Sequence, residues 1–98
     1  MRFLVKRAHG PSWDHTRVRR EQRGWDEHAA FMDELTADGF IVLGGPVGDG
    51  DGHSTLIVVE APDEAEVRAR FAGDPWGEDM LATESVEPWT ILLRRSRG

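Results

Sequence analysis

The chain has 98 residues, no cysteine and a formal net charge of −6. That length supports one domain, spanning 1–98, and the missing cysteines exclude disulfides and thiolate metal sites. No run approaches the ~18 apolar residues of a membrane span, and Phe3-Leu4-Val5 is too short for a signal-peptide core, so a soluble cytoplasmic protein is expected.

The charge is unevenly placed. Residues 1–23 carry seven Lys/Arg against two Asp/Glu, residues 24–90 carry two against sixteen, and residues 91–98 carry three Arg and no acid. Two basic ends flank an acidic middle. Pooled in space, the ends could steer a small anion; alone, Arg17, Arg19, Arg20 and Arg23 read as a solvated face and Arg94, Arg95 and Arg97 as a solubilising tail. The acidic middle and the lack of a recognised motif argue against nucleic acid.

Residues 2–8 are apolar-centred and β-prone and predict the first strand. His9-Gly10-Pro11-Ser12 breaks it, and 9–20 reads as a long polar connection holding Trp13 and His15. The next segment predicts a helix from about Arg20 to Asp38, with Gly24 weakening its first turn and Gly39 as a C-terminal cap. Phe40-Ile41-Val42-Leu43 predicts a second strand buried on both faces and ended by Gly44-Gly45-Pro46. Residues 47–53 read as a Gly/Asp-rich hairpin turn, and Thr55–Val59 as the third strand. Asp63 and Glu66 form a capping-box-like start for a helix over 64–72, ended by Gly73. Asp74-Pro75-Trp76 leaves it sharply. Trp89–Leu93 reads as the last strand, with Trp89 in the core.

The order β-α-β-β-α-β is the ferredoxin-like pattern of α+β proteins: a four-stranded antiparallel sheet with two helices on one face. Strands one and four are neighbours in it, which would bring the basic ends together. The open sheet face argues for a homodimer through the sheets.

Most familiar site motifs fail. The 48–53 turn lacks the Gly-Lys-Ser/Thr ending of a P-loop. It also puts Ser54 where a calcium loop starting at Asp49 needs glycine. No serine has a nucleophile-elbow context. His9, His15, His28 and His53 form no helical i, i+4 pair, which gives a zinc site little support, although His9, His28 and an acid could converge in space; no metal or other cofactor is expected. General acid–base work remains.

His28 is the natural candidate, because imidazole exchanges a proton near neutral pH. It lies three, three, four and seven residues from Trp25, Phe31, Met32 and Leu35, the intervals of one helical stripe. An ionisable group on an apolar stripe needs a partner. It is either a hydrogen-bonded core histidine or an active group in an apolar cleft. Asp74, held extended before Pro75 at the end of the second helix, is the best-placed partner carboxylate; Asp38 is the alternative. Trp25 and Trp76 would wall such a pocket, and the backbone at Gly45 and Pro46 could approach a ligand closely. Trp13 reads either as a lid or, preferably, as docking on a partner subunit.

Taken together, several segments resemble the YCII-related domain family. They are the opening Arg-Phe-Leu-Val strand, His28 followed by Phe31-Met32 and Leu35, Leu43-Gly44-Gly45-Pro46, Gly73-Asp74-Pro75-Trp76 and Val86-Glu87-Pro88-Trp89. The resemblance implies a dimeric α+β barrel of the muconolactone-isomerase kind. It also implies an acid–base centre whose histidine and aspartate carry over to His28 and Asp74. One characterised relative is a dehydrochlorinase of aromatic degradation. The 9–20 loop with Trp13 and the acidic turn at 48–52 depart from the family pattern. An isomerase, lyase or dehydrochlorinase-like activity on a small, anionic cyclic substrate is therefore expected. A non-catalytic ligand-binding or structural domain is the alternative.

Overall fold

The computed structural model describes residues 1–49 and 54–95; most of the expected turn at 47–53 lies outside them. The elements are β1 (Arg2–His9), α1 (Trp25–Ala37), β2 (Ile41–Val47), β3 (Ser54–Glu60), α2 (Glu64–Ala72), the single turn α3 (Gly77–Met80) and β4 (Leu81–Pro88). The strands form one sheet in the order β2-β3-β1-β4, with every neighbouring pair antiparallel. This is the expected ferredoxin-like α+β architecture, and β1 and β4 are adjacent in it.

Alternation on β1 sends Phe3 and Val5 to one face, where they meet Ile57 and Val59 of β3 and Val86 of β4. Leu35 from α1 and Val67 and Phe71 from α2 pack on the same set, so both helices cover one sheet face. Each such side chain contributes about 1.5–3 kcal/mol by leaving water. The start of α2 is as the sequence indicates: the Asp63 carboxylate accepts the Glu66 N–H at 2.8 Å. Gly39, with φ +83°, follows the end of α1.

Four expectations need correction. First, α1 begins at Trp25, not Arg20, because Gly24 has φ +80° and cannot continue a right-handed helix. Residues 19–21 make a separate 3-10 turn, and the long connection extends from 10 to 24. The buried Gln22 ties it together: its amide donates to the carbonyls of Asp14 at 2.7 Å and Arg17 at 2.9 Å, and its oxygen accepts the Asp14 N–H.

Second, β2 is an edge strand running on through Gly44-Gly45-Pro46, and beyond Ile41 it is largely exposed. An edge tolerates proline, since no neighbour there needs its N–H. Third, the last strand is Leu81–Pro88, not 89–93. Its partner β1 starts at Arg2, so pairing ends with Phe3 opposite Pro88 and one further bond from Trp89 N–H to Arg2. The apolar composition of 89–93 imitates a strand that has no neighbour to pair with. Trp89 is accordingly half-exposed rather than core.

Fourth, Trp13 packs within its own chain. It is buried, stacked on His9 at 3.8 Å and set edge-on to Trp76 at 5.4 Å. Among the described residues no helix is long and apolar enough to cross a membrane.

Candidate functional site

The site begins with a charge where β1 should be apolar. Residues 3, 5 and 7 share the core-facing side, and the third is Arg7, with no solvent exposure. A buried guanidinium is tolerable only with partners. Arg7 Nη1 donates to Asp74 Oδ2 at 2.8 Å, and Nη2 to the Leu81 carbonyl at 2.9 Å. Its guanidinium carbon sits 5.1 Å from the Phe71 ring centroid.

Asp74 is placed by the end of α2. Its N–H bonds the Phe71 carbonyl, and its Oδ1 accepts the Trp76 N–H at 2.9 Å across Pro75. This is the side-chain-to-backbone turn that aspartate favours. His28 Nδ1 completes the set, 2.9 Å from Oδ1 and 3.0 Å from Oδ2. Burial pushes the Asp74 carboxyl up, but the bonds from His28, the Trp76 N–H and Arg7 outweigh it and hold the group below the usual carboxylate range. An ionised carboxylate only accepts hydrogen bonds, so His28 Nδ1 carries the proton and donates it to Asp74. That leaves Nε2 as the ring nitrogen available to a ligand.

The imidazole is fixed on its faces as well. It is 4% exposed and lies flat on the Trp76 indole, with centroids 3.8 Å and planes 10° apart. Trp25 tilts against both rings at 5.8 Å. Trp76 is locked by its Nε1–H, which donates to the Arg23 carbonyl at 2.8 Å. The expectation that Trp76 walls the pocket is therefore corrected: it is buried behind His28 and supports it.

His28 opens onto a cleft of about 450 Å³ between α1 and the β2 edge. From α1 come Trp25 and Met32 beside His28; the sheet supplies Ile41, Leu43, Gly44, Gly45 and Pro46. Thus Trp25, Gly45 and Pro46 lie on the cleft wall with His28, and Asp74 lies behind it. Gly44 is the tight point, since a Cβ there would come within 3.0 Å of the Leu56 carbonyl and 3.1 Å of Ile57 Cγ1. Asp38, the alternative partner for His28, is exposed and pairs with Arg70 instead, at 3.7 Å. Among the described residues no group of three or more His, Asp or Glu is placed to hold a metal.

Two residues emerge that the sequence reading did not single out. Arg7 had a visible signal, a charge at the inward position of an alternating strand. Arg19 had none beyond its membership of a basic stretch. Yet it lines the cleft, donating to Thr55 Oγ1 at 3.1 Å, with its guanidinium 5.4 Å from the Trp13 ring centroid.

Comparison with solved structures finds a similar protein: 5-chloro-2-hydroxyhydroquinone dehydrochlorinase from Burkholderia phenoliruptrix AC1100, in complex with 2,5-dihydroxybenzoquinone. The two are 28% identical, superpose with a TM-score of 0.68, and align over 92% of this chain and 94% of the other. No curated protein matches the sequence. The model of the YCII-related domain matches residues 1–90, and the chain belongs to that family.

Proposed function

We propose that this protein is a small-molecule enzyme of the lyase or isomerase type, with His28 as its proton-transfer group and Asp74 as the residue that orients it. The observation that carries this reading is the 2.9 Å His28–Asp74 contact at the wall of a ligand-sized cleft. With Nδ1–H bound to an ionised carboxylate, Nε2 carries the lone pair of the ring, and His28 lines the cleft. It can take a proton from a substrate hydroxyl or from a carbon beside a carbonyl. The resulting imidazolium is stabilised by Asp74, whose carboxylate Arg7 holds from the other side. A positioned base of this kind contributes typically about 10²–10⁴-fold to a rate.

The solved relative suggests the reaction. In a dehydrochlorination of this kind a hydroxyl proton is moved to the chlorine-bearing ring carbon, giving the keto tautomer; the base then removes a second hydroxyl proton, its electron pair forms the second carbonyl through the ring, and chloride leaves with the carbon–chlorine bonding pair. The net loss is HCl. A small cyclic, anionic substrate suits the cleft. The test is chloride release from chlorinated hydroxyhydroquinones by the wild type and by His28→Gln. Release by the wild type and its loss in the variant supports the reading; equal release by both sinks it.

We also propose that the protein works as a homodimer. Leu43 is 63% exposed on β2, and Leu92 and Leu93 are exposed in the tail beyond β4. Large apolar groups of this kind gain from burial against a second copy.

A further inference from the structure

Three neighbouring strands build the floor of the cleft at its His28 end. Antiparallel pairing sets Thr55 of β3 opposite Arg7 of β1 on one side and opposite Pro46 of β2 on the other. Cross-strand partners share a face of the sheet, so Thr55 lies on the same inward side as Arg7. Arg7 reaches Asp74 at 2.8 Å, Asp74 reaches His28 at 2.9 Å, and His28 and Thr55 both line the cleft. The two side chains therefore belong to the same end of it. The floor around Thr55 is otherwise aliphatic, with Ile41, Ile57 and Leu81. Thr55 is only 6% exposed. A hydroxyl so far from water needs a partner for its hydrogen as well as for its oxygen. The oxygen is served, since Arg19 Nη2 donates to Thr55 Oγ1 at 3.1 Å. Among the described residues no acceptor takes the Thr55 O–H. Donation from Arg19 also strengthens the hydroxyl as a donor in its turn. Valine would fill the same space on β3 without burying a polar group, so the hydroxyl is the feature that calls for a partner.

We propose that Thr55 is a specificity-determining residue of this cleft, its hydroxyl donating a hydrogen bond to a ring carbonyl oxygen of the ligand held beside His28. The ligand class is a cyclic ketone, enone or quinone. A carbonyl oxygen accepts more strongly than a hydroxyl oxygen, so the contact also favours the keto form of a hydroxylated ring. Arg19 is engaged within the fold and acts through Thr55, holding the hydroxyl oxygen from the other side. This role deepens the acid–base reading of the same cleft and rests on it for the ligand's place beside His28.

The test is calorimetric binding of 1-tetralone, a neutral bicyclic ketone, with tetralin, the same ring system without the carbonyl, as its control. Thr55→Val should weaken 1-tetralone by about 3- to 10-fold, the worth of one neutral hydrogen bond, and change tetralin little. Thr55→Ser keeps the hydroxyl and should recover most of the loss. With carbon-13 at the carbonyl, the infrared C=O stretch of bound 1-tetralone should lie lower in the wild type than in Thr55→Val, because an accepted hydrogen bond weakens the C=O bond. A threonine that serves only packing would not move it. Thr55→Ala carries the same comparison if Thr55→Val does not fold. The same carbonyl stretch with and without the hydroxyl overturns the proposal, as does an equal loss for both ligands or a wild type that binds neither. The assay leaves His28 intact and involves no turnover. Failure of His28 as the catalytic base would leave the carbonyl shift standing, and failure of Thr55 as the donor would leave the chloride-release result standing.

Discussion

Arg7 and Asp74 lie 67 residues apart in the chain and meet at 2.8 Å, with neither side chain exposed. This ion pair joins the central strand to the end of α2, and His28 leans on it from α1. The pair is costly to bury but more costly to break, because either partner left alone is an uncompensated buried charge. Arg7→Met and Asp74→Asn are each expected to lower stability by about 3–5 kcal/mol in urea unfolding. Combined, they should cost less than the sum of the two by at least about 1 kcal/mol, since they share one interaction. Strict additivity would show that the contact contributes nothing of its own.

Asp74 also makes stability depend on pH in a stated direction. Its carboxyl is held below the ordinary value in the fold, because the bonds from His28, the Trp76 N–H and Arg7 outweigh burial. A depressed acid contributes stability that is fully present above its unfolded value of about 3.9 and is lost as pH falls through the folded one. The stability gap between wild type and Asp74→Asn should therefore narrow as pH falls below about 4. Thermal melts across that range measure it; a gap that ignores acid would assign the effect to another group.

His28 should be held in a single tautomer. Nitrogen-15 NMR of the imidazole is expected to show Nδ1 protonated and Nε2 bare in the neutral ring. In Asp74→Asn the amide can present either its oxygen or its NH₂, so the Nε2-protonated form should gain population. The same variant should lose activity by about 10²-fold or more, as a wrong tautomer removes the base from the cleft. An unchanged tautomer together with unchanged turnover would remove Asp74 from its orienting role.

Two adjacent glycines on β2 should respond oppositely. A methyl at Gly44 meets the Leu56 carbonyl at 3.0 Å and Ile57 Cγ1 at 3.1 Å, whereas one at Gly45 meets nothing within 4 Å. Gly44→Ala is expected to cost about 1–3 kcal/mol, the usual range for overpacking. Gly45→Ala should leave the melting temperature within a few degrees of wild type and act, if at all, on ligand affinity. Differential scanning calorimetry of the two variants decides this.

Assembly is read by sedimentation. Exposed Leu43, Leu92 and Leu93 are expected to be covered in a homodimer. Sedimentation equilibrium that gives a stable 11.0 kDa species at micromolar concentration would refute that expectation.

Much of this protein was legible in the chain itself because the relevant signals are local. Apolar, β-prone runs marked β1 and β3, a 3.6-residue stripe placed His28 on the inner side of α1, and Asp63 marked the start of α2. Even the choice of Asp74 as partner followed from a helix stop before proline. The failures share a cause. Trp89–Leu93 has a strand's composition, yet β4 lies earlier, because a strand exists only where a neighbour offers hydrogen bonds, and β1 offers none past Arg2. Trp13 looked available to another subunit, and His9 and Trp76 claim it within the chain. Arg7 was not singled out until the sheet register buried it, and Arg19 counted as part of a solvated face until the folded connection set it over Thr55. Local periodicity determined which residues face inward. Which distant charges meet there was decided only by the tertiary structure, because backbone register and burial, rather than sequence spacing, select the partners of a group removed from water.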